Sequence, residues 1–248
     1  MSHHVIEARE VWFAYPGAAA AALQGVSFRI THGEAVGIIG CNGAGKSTLL
    51  LHLNGFLTPT RGEVRIGEVP LTAATLVAAR RAIGLVFQDP DDQLFMPTVF
   101  EDVAFGPLNL GLPAAEVESC VAAALERVGM AHLRDRPPHK LSAGEKRAVA
   151  IAAVLAMSPD VLVMDEPTSN LDPRARRRLL QLLHGFAHTR IIATHDLELV
   201  VELCPRVLVL DAGRIVADGP TLTLLNDEVL MLAHGLERPH ILRHDHPH

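Results

Sequence analysis

The feature that most constrains this chain is a glycine-rich segment near its N-terminus. Residues 40–47 read Gly-Cys-Asn-Gly-Ala-Gly-Lys-Ser and match the phosphate-loop pattern G-x-x-x-x-G-K-[ST]. The apolar run 34–39 before it is typical of a buried strand, and residues 46–53 have the composition of a helix. Because glycines let successive backbone N–H groups point at phosphate oxygens, the segment predicts a nucleotide-binding loop between a strand and a helix.

Each position of this loop has a predicted role in nucleotide binding. Lys46 places its charge on the β- and γ-phosphates, and the Ser47 hydroxyl is a ligand for Mg²⁺. The other positions supply backbone N–H groups or belong to the first turn of the helix. The predicted nucleotide-binding residues of the loop are Gly40, Cys41, Asn42, Gly43, Ala44, Gly45, Lys46, Ser47 and Thr48.

A second nucleotide element lies at residues 161–166, which read Val-Leu-Val-Met-Asp-Glu. Four apolar residues carry Asp165 to the carboxyl end of a strand, the edge at which α/β sheets bind ligands. We therefore predict that Asp165 is a ligand of Mg²⁺ and that Glu166 orients or deprotonates a water molecule attacking the γ-phosphate. Many strands end in an acidic residue, so this pattern alone is weak evidence for a nucleotide site. Together with the phosphate loop it becomes strong evidence.

The patterns along the chain predict an α/β fold. Short apolar strands alternate with helices over 161–210, which is typical of a parallel sheet. Strand-like segments around the loop 17–22 predict an N-terminal antiparallel β-subdomain, and helical patterns over about 90–157 predict an inserted α-helical subdomain. We expect a P-loop NTPase domain over residues 1–220 and a short C-terminal extension with a histidine-rich tail over 221–248.

Composition disfavours two classes of function. With 22 lysines and arginines against 28 aspartates and glutamates, the chain does not resemble a nucleic-acid-binding protein, and the basic run 174–178 is interpreted as a solvated helix face. Hydrophobic residues make up 49% of the chain, but the longest uncharged apolar run, 148–157, has ten residues, whereas a membrane span needs roughly 20. No secretory signal pattern begins the sequence.

The three cysteines predict neither a disulfide framework nor a structural zinc site. Cys41, Cys120 and Cys204 are far apart and form no C-x-x-C pair, so a reducing cytosol is the expected compartment. Cys41 lies at the start of a predicted helix, where the pKa of a thiol tends to fall. We predict that thiol reagents inhibit the protein through Cys41 and that ATP protects it; an inert filler residue is the alternative.

Further segments identify the kind of phosphate-loop protein. Leu-Ser-Ala-Gly-Glu stands at 141–145, Asp-Glu-Pro-Thr-Ser-Asn-Leu-Asp at 165–172, and isolated positions of interest are Tyr15, Gln88 and His195. In this order the motifs resemble the ATP-binding cassette (ABC) family, the ATPase subunits of ABC transporters, over roughly residues 5–219. The resemblance implies the α/β fold of an ABC ATPase, with ATP and Mg²⁺ as its cofactors.

The resemblance implies roles for single residues. Tyr15 is similar to the aromatic residue that stacks on adenine, for which a π-face is a suitable platform. Gln88 is similar to the Q-loop glutamine, which contacts Mg²⁺ and water and relays the nucleotide state. His195 is similar to the switch histidine that contacts the γ-phosphate. With Glu166, the residues Gln88 and His195 make up the expected catalytic set.

The signature segment is expected to act on a second subunit. In the family, Ser142, Gly144 and Glu145 belong to the segment that caps the γ-phosphate held by the opposite subunit, and Asp172 is similar to the D-loop aspartate. One catalytic site therefore needs two chains, and we expect a head-to-tail dimer, with a homodimer as the simplest form.

The signature departs from the usual Leu-Ser-Gly-Gly-Gln at two positions. Ala143 adds a side chain, and Glu145 brings a carboxylate near a phosphate. The carboxylate is electrostatically unfavourable there unless it points away or pairs with Lys146 or Arg147. Because Ser142 and Gly144 are retained, we expect an active ATPase.

The segments 87–95 and 97–107 resemble the energy-coupling-factor branch of the family. The resemblance implies that Asp92, Gln93 and Phe95 bind an integral-membrane coupling subunit, that a substrate-capture membrane subunit is also present, and that the chain is peripheral to the cytoplasmic face of the membrane. Cobalt and nickel importers are similar in sequence. The alternatives are the ATPase of a vitamin or amino-acid importer and a soluble ABC ATPase outside transport.

The C-terminal histidines raise a separate question. His244, His246 and His248 follow one another at short spacing near the end of the chain. Imidazole nitrogens at this spacing are able to hold a transition-metal ion. A disordered polar tail is the alternative.

Overall fold

The computed structural model describes residues 4–242, which fall into two compact units. The phosphate-loop unit comprises residues 4–80 and 188–242, and the signature unit comprises residues 81–187. Within 4–242, the structure contains no helix that combines the length and the apolar character needed to cross a membrane.

The phosphate-loop unit begins with the antiparallel subdomain that the sequence predicts. A four-stranded sheet has the order β2-β1-β4-β5, and the inward side chains of β2 alternate with exposed ones. The strands are longer than their apolar centres suggest, because backbone pairing continues into polar residues at both ends. They are β1 (His4–Phe13), β2 (Leu23–Thr31), β4 (Arg61–Ile66) and β5 (Val69–Pro70).

A second group of strands in the same unit carries the phosphate loop. The central strand β3 (Ala35–Ile39) is buried along its whole length, as its apolar composition predicts. It pairs in parallel with β8 (Thr189–Ala193) on one side and β9 (Arg206–Asp211) on the other. The strand β10 (Arg214–Pro220) pairs antiparallel with β9.

Helices follow the strands of this unit. The predicted helix over 46–53 is observed as α1 (Lys46–Leu53), and a further helix, α7 (Leu197–Leu203), follows β8. The sequence patterns do not predict the short helices near the C-terminus, whose apolar residues are too few to give a clear period. The remaining helices are α2 (Leu76–Ala82), which runs to the start of the signature unit, α8 (Thr221–Asn226) and α9 (Glu228–Ala233).

The signature unit combines a pair of strands with a helical subdomain. Strands β6 (Ile83–Val86) and β7 (Val161–Asp165) are buried and parallel. The helices enclose a core of valine, leucine and alanine side chains, which accounts for the helical patterns of the middle of the chain. They are α3 (Val99–Asn109), α4 (Ala114–Arg127), α5 (Ala143–Leu155) and α6 (Pro173–His184), with 3-10 turns at Pro90–Asp92, Ala131–Leu133 and Pro138–Lys140.

Candidate nucleotide-binding and hydrolysis site

The phosphate loop curls around the side chain of its own lysine. The buried Lys46 Nζ donates hydrogen bonds to the carbonyl oxygens of Gly40 (2.8 Å) and Cys41 (3.3 Å). Gly45 has φ +104°, and a Cβ built on it would lie 2.6 Å from the Ala22 carbonyl oxygen, so only glycine fits there. Gly43 has φ +82° and faces open space. A buried ammonium within a loop at a helix N-terminus fits a bound polyphosphate.

Strand register brings His195 to the same sheet edge as this loop. Ile38 of β3 is paired with Ala193 of β8, and the Thr194 N–H donates to the Ile38 carbonyl at 3.0 Å. Gly40 and His195 therefore both follow the carboxyl ends of neighbouring parallel strands. The His195 side chain is exposed, and the next residue, Asp196, caps α7 by accepting from the Leu199 N–H at 2.9 Å.

Tyr15 lies beside the first turn of α1. Its hydroxyl is 3.1 Å from the Thr48 hydroxyl, and its ring meets the edge of Phe13 with the centroids 5.0 Å apart. The tyrosine side chain is 43% exposed. A ring fixed at both its hydroxyl and its edge, yet open to solvent, suits the stacking role that the sequence predicts.

The Cys41 thiol is directed toward the C-terminal part of the unit. It is half-buried and donates to the carbonyl oxygens of His234 (3.4 Å) and Gly235 (3.2 Å). The predicted reactivity of this thiol and its protection by nucleotide stay predictions.

In the signature unit, register brings the Q-loop and the acid pair together. Val86 of β6 is paired with Met164 of β7, so Gln88 lies at the same sheet edge as Asp165 and Glu166. Gln88 is exposed, whereas Asp165 and Glu166 are 7% and 5% exposed. Hydroxyl, amide and carboxylate oxygens are ligands that Mg²⁺ prefers, so Ser47, Gln88 and Asp165 are chemically suited to it.

Glu166 has a strained backbone. Its φ is +44°, in the left-handed region that residues other than glycine rarely adopt. Such strain costs about 1–3 kcal/mol and persists where the surroundings fix the residue, most often at functional sites. The observation favours the catalytic role that the sequence predicts for Glu166.

Helix α5 is bonded to the Q-loop through Arg147. This buried guanidinium donates to the Phe87 carbonyl oxygen at 2.7 Å and also to the Gln88 carbonyl oxygen. Burial lowers the pKa of Arg147, while the carboxylates of Asp89 and Asp165 act in the opposite direction. The signature helix therefore holds the backbone of the Q-loop directly.

Two more side chains join α5 to the turn after the Q-loop. Lys146 Nζ lies 2.6 Å from an oxygen of Asp91. Gln93 Nε2 donates to the Ala150 carbonyl at 2.7 Å, and Gln93 Oε1 accepts from the Phe87 N–H at 3.3 Å. Gln93 therefore joins the turn to α5, and the expectation that it also binds a partner stays a prediction.

The signature segment begins α5 with a capping box. The Ser142 side chain accepts from the Glu145 N–H, and a Glu145 oxygen accepts from both the backbone N–H and the hydroxyl of Ser142, each at 2.8 Å. Of the two alternatives for Glu145, pairing with Lys146 or Arg147 is not observed, since Lys146 binds Asp91 and Arg147 binds the Q-loop backbone. The hydrogen bonds from Ser142 lower the pKa of Glu145.

Packing explains the retained glycine and the tolerated alanine of the signature. A Cβ on Gly144 would lie 2.9 Å from the Ala175 Cβ on α6, so this position has no room for a side chain. Ala143 is exposed, and its methyl group requires no space inside the unit. Asp172 caps α6 by accepting from the N–H groups of Ala175 (3.0 Å) and Arg174 (2.8 Å), which lower its pKa.

A cavity adjoins the signature segment. Its volume is about 620 Å³, and it is lined by residues of the signature, of the end of α4 and of the start of α6, among them Ser142, Gly144, Asp172 and Arg178. The basic residues 174 and 176–178 lie on α6, and Arg174, Arg177 and Arg178 are exposed, as their interpretation as a solvated face predicts.

The tail histidines His244, His246 and His248 lie outside the described residues. Within 4–242, no group of three or more histidine, cysteine, aspartate or glutamate side chains is arranged to hold a metal ion. His234, which does lie in this range, places Nδ1 2.8 Å from Oδ2 of Asp211.

Comparison with known proteins identifies the family. The family model described as ABC transporter matches residues 23–169, which is more than half of the chain. The chain belongs to the ABC transporter family. One relative is a Geobacter sulfurreducens protein named as an ABC transporter ATP-binding protein. It is 62% identical over 239 residues, which cover 96% of each chain. The energy-coupling factor transporter ATP-binding protein EcfA of Methanocaldococcus jannaschii is 46% identical over 243 residues, 96% of this chain and 87% of that protein.

Solved structures agree with this assignment. CbiO1 of Clostridium perfringens, part of the ABC transporter complex CbiONQ, has a TM-score of 0.81 at 38% identity and covers 94% of each chain. A dimeric ATP-binding cassette in a post-hydrolysis state with ADP and Pi has a TM-score of 0.79 at 28% identity, covering 87% of this chain and 98% of that one. The predicted fold is therefore confirmed, and the chain is an ABC ATPase that uses ATP with Mg²⁺. Cassettes of this family dimerise and pair with membrane subunits.

Sequence reasoning missed the residues that hold the functional segments in place. Arg147 and Lys146 act on segments distant in sequence, and no motif identifies them as contacts. One signal was present for Arg147: a charged residue stands at the start of the apolar run of α5, where burial requires partners.

Proposed function

We propose that this chain is the ATP-hydrolysing subunit of an energy-coupling-factor importer that takes up a transition-metal ion, cobalt or nickel. The likeness to EcfA and to CbiO1 supports the branch. The structural observation that carries the proposal is an exposed apolar patch just after the Q-loop. We call Phe95, Phe105 and Leu108 the docking patch.

In the proposed reaction, the phosphate loop and Lys46 hold the triphosphate, and the Tyr15 ring stacks on the adenine. Glu166 accepts the proton of the attacking water, and His195 contacts the γ-phosphate. Bound Mg²⁺, held by Ser47, Gln88 and Asp165, would neutralise phosphate charge. Ser142, Gly144, Glu145 and Asp172 act across a head-to-tail dimer on the nucleotide of the second subunit.

The docking patch is apolar and exposed. Phe95, Phe105 and Leu108 are 62%, 44% and 56% exposed, and the rings of Phe95 and Phe105 meet edge to face at 5.0 Å. Phe105 and Leu108 are three residues apart on α3 and therefore share a face. Adjacent exposed aromatic residues are typical of the centre of a protein interface.

The buried carboxylate of Asp102 shapes the loop that presents Phe95. One oxygen accepts from the backbone N–H groups of Phe95 (2.9 Å) and Met96 (3.0 Å). Burial raises the pKa of Asp102, against these two hydrogen bonds. The exposed residues Asp89 and Asp92 add negative charge nearby in the sequence, whereas the charge of Asp91 is paired with Lys146. An apolar centre with an acidic rim suits a membrane subunit whose cytoplasmic segment is apolar and basic.

Co-purification tests the docking patch. The chain is expressed together with candidate polytopic coupling subunits from its own genome, and recovery of the complex in detergent is measured for Phe95→Ala and Leu108→Ala. Each substitution is expected to lower recovery about tenfold, because interface residues at the centre carry most of the binding energy. Leu222→Ala is the matched control, since Leu222 is 54% exposed on α8. Full recovery of both patch variants would remove the structural support for the proposal.

Transport decides the cargo. Cells that express the complete complex should accumulate radioactive cobalt or nickel, and Glu166→Gln in the ATPase should abolish the accumulation. Uptake of a vitamin or an amino acid without metal uptake would contradict the metal assignment and leave the ATPase assignment in place. A partner complex with a soluble substrate-binding protein would contradict the energy-coupling-factor branch.

A further inference from the structure

The turn after α9 contacts the phosphate loop. The Cys41 thiol, on the second residue of the loop, meets the carbonyl oxygens of His234 and Gly235 at 3.4 and 3.2 Å. These residues are more than 190 positions from Cys41 in the sequence, so the contact is made by the fold and not by the motif. None of the ATPase motifs in the sequence predicts this contact.

Gly235 is fitted to this contact. Its φ is +68°, and a Cβ built on it would lie 2.8 Å from the Cys41 sulfur, closer than side chains approach one another. The conformation favours glycine, and a side chain at this position would displace the Cys41 thiol from its contact. The close approach therefore depends on residues from both segments.

The turn is held firmly on its other side. The Leu236 N–H donates to the Met231 carbonyl at 2.8 Å, and the Met231 side chain is fully buried. His234 Nδ1 lies 2.8 Å from Oδ2 of Asp211, the last residue of β9. The turn is thus fixed both to α9 and to a core strand, so it can hold the phosphate loop in position.

The end of β9 and the turn that follows it contact the loop as well. A Cβ on Gly40 would lie 2.1 Å from the Leu210 carbonyl oxygen, which places the strand directly against the first residue of the loop. The Gly213 N–H donates to the Ala44 carbonyl at 2.9 Å. Contacts from residues 210–235 therefore reach the phosphate loop at its first, second and fifth positions.

We propose that the turn His234–Gly235 is a positioning element for the phosphate loop, through which the C-terminal segment sets the affinity for ATP. The proposal rests on the proposed assignment of the loop as the ATP site. A phosphate loop binds well when its N–H groups are already oriented, because binding then costs less conformational entropy. Coupling of this kind is reciprocal, so bound ATP should also stabilise the turn against Cys41.

The central experiment compares two glycine substitutions in the full chain. Gly235→Ala introduces both backbone strain and the clash with sulfur, whereas Gly67→Ala, at φ +56° with open space around it, introduces strain alone. Binding of ATP is measured by displacement of trinitrophenyl-ATP. We expect Gly235→Ala to raise the Kd about five- to tenfold and Gly67→Ala to leave it unchanged. Equal Kd values for the two variants would overturn the proposal.

A double-mutant cycle separates positioning from a general loss of structure. Cys41→Ala removes the sulfur that Gly235→Ala would strike, so the double variant should bind ATP no more weakly than Cys41→Ala alone. Additive losses would mean that the two segments do not act through their contact. Should Gly235→Ala fail to fold, His234→Ala removes the bond to Asp211 instead; it should raise the Kd for ATP and the alkylation rate of Cys41, and unchanged values of both would overturn the proposal.

Lys46→Ala distinguishes failure of this proposal from failure of the site assignment. If Lys46→Ala abolishes ATP binding while Gly235→Ala binds as Gly67→Ala does, the loop is the ATP site and the turn has no positioning role. If Lys46→Ala binds ATP normally, the assignment of the loop fails, and the positioning role fails with it. Loss of binding in Lys46→Ala together with weaker binding in Gly235→Ala supports both.

Discussion

The two units hold their functional groups in different ways. In the phosphate-loop unit, Lys46 binds the carbonyls of its own loop, and the backbone pairs Thr194 with Ile38 at the sheet edge. In the signature unit, the side chains of α5, above all Arg147, reach across to the Q-loop. The difference indicates that a short contiguous motif specifies nucleotide binding. The Q-loop and the signature helix, which are expected to relay the nucleotide state, are instead held together by long-range side-chain contacts.

The largest expected effect tests the strained residue of the signature unit. We expect Glu166→Gln to lower steady-state ATPase activity of the dimer or complex at least 100-fold, because the amide cannot accept a proton from water. ATP binding should remain, since the residues proposed to hold the triphosphate lie in the phosphate-loop unit. Binding is measured by equilibrium dialysis and hydrolysis by release of phosphate.

Lys46→Ala is the opposite control, and it should lose binding and hydrolysis together. Full ATPase activity in Glu166→Gln would show that another group activates water. Loss of ATP binding in Glu166→Gln would break the division of roles between the two units.

The next effect concerns the bond between α5 and the Q-loop. Arg147→Met keeps the length and apolar contacts of the side chain but leaves the carbonyls of Phe87 and Gln88 without their donor. We expect the free energy of unfolding to fall by about 2–3 kcal/mol and ATPase activity to fall about tenfold, with little change in ATP binding. Urea denaturation and steady-state kinetics measure these effects.

Arg177→Met on α6 is the matched control. Arg177 is exposed, so its substitution should change stability by less than about 0.5 kcal/mol. Equal effects of Arg147→Met and Arg177→Met would mean that the contact to the Q-loop contributes nothing, and the contrast between the units would then rest on strand register alone.

The same contrast explains how far sequence reasoning reached. The helix over 46–53 and the strands around it were predictable because strong local patterns, an apolar run and a phosphate loop, determine them. The capping box of Ser142 and Glu145 is also local, and its Ser-x-x-Glu spacing is the one sequence signal for it. Arg147 and Gln93 were not predictable as links, since their partners lie about 60 residues away.

A smaller effect is expected for the ion pair between Lys146 and Asp91. Lys146→Asp and Asp91→Lys should each lower the free energy of unfolding by about 0.5–1 kcal/mol, because each replaces the ion pair, whose atoms lie 2.6 Å apart, with two like charges. The double variant restores opposite charges and should recover most of the loss. Additive losses in the double variant, measured by urea denaturation, would show that the pair does not join the two segments.

A pH-dependent effect of similar size tests whether side-chain contacts are confined to the signature unit. Glu7, a buried residue of β1, binds Arg9 at 2.6 Å and Arg29 at 2.5 Å. The hydrogen bond from Arg9, aided by Arg29 and opposed by burial, lowers the pKa of Glu7 from 4.5 to about 2.

Because the pKa is lower in the folded state, the contribution of Glu7 to stability is present above pH 4.5 and is lost as the pH falls toward 2. Glu7→Gln should therefore be less stable than the native chain by about 1 kcal/mol at pH 6, and the gap should close in acid. Glu116→Gln, an exposed control on α4, should follow the native chain throughout. A gap for Glu7→Gln that stays constant between pH 6 and pH 3 would mean that the substitution acts through packing and not through charge. In that case the charges of these ion pairs would contribute little to stability, and backbone contacts would remain the main support of the phosphate-loop unit.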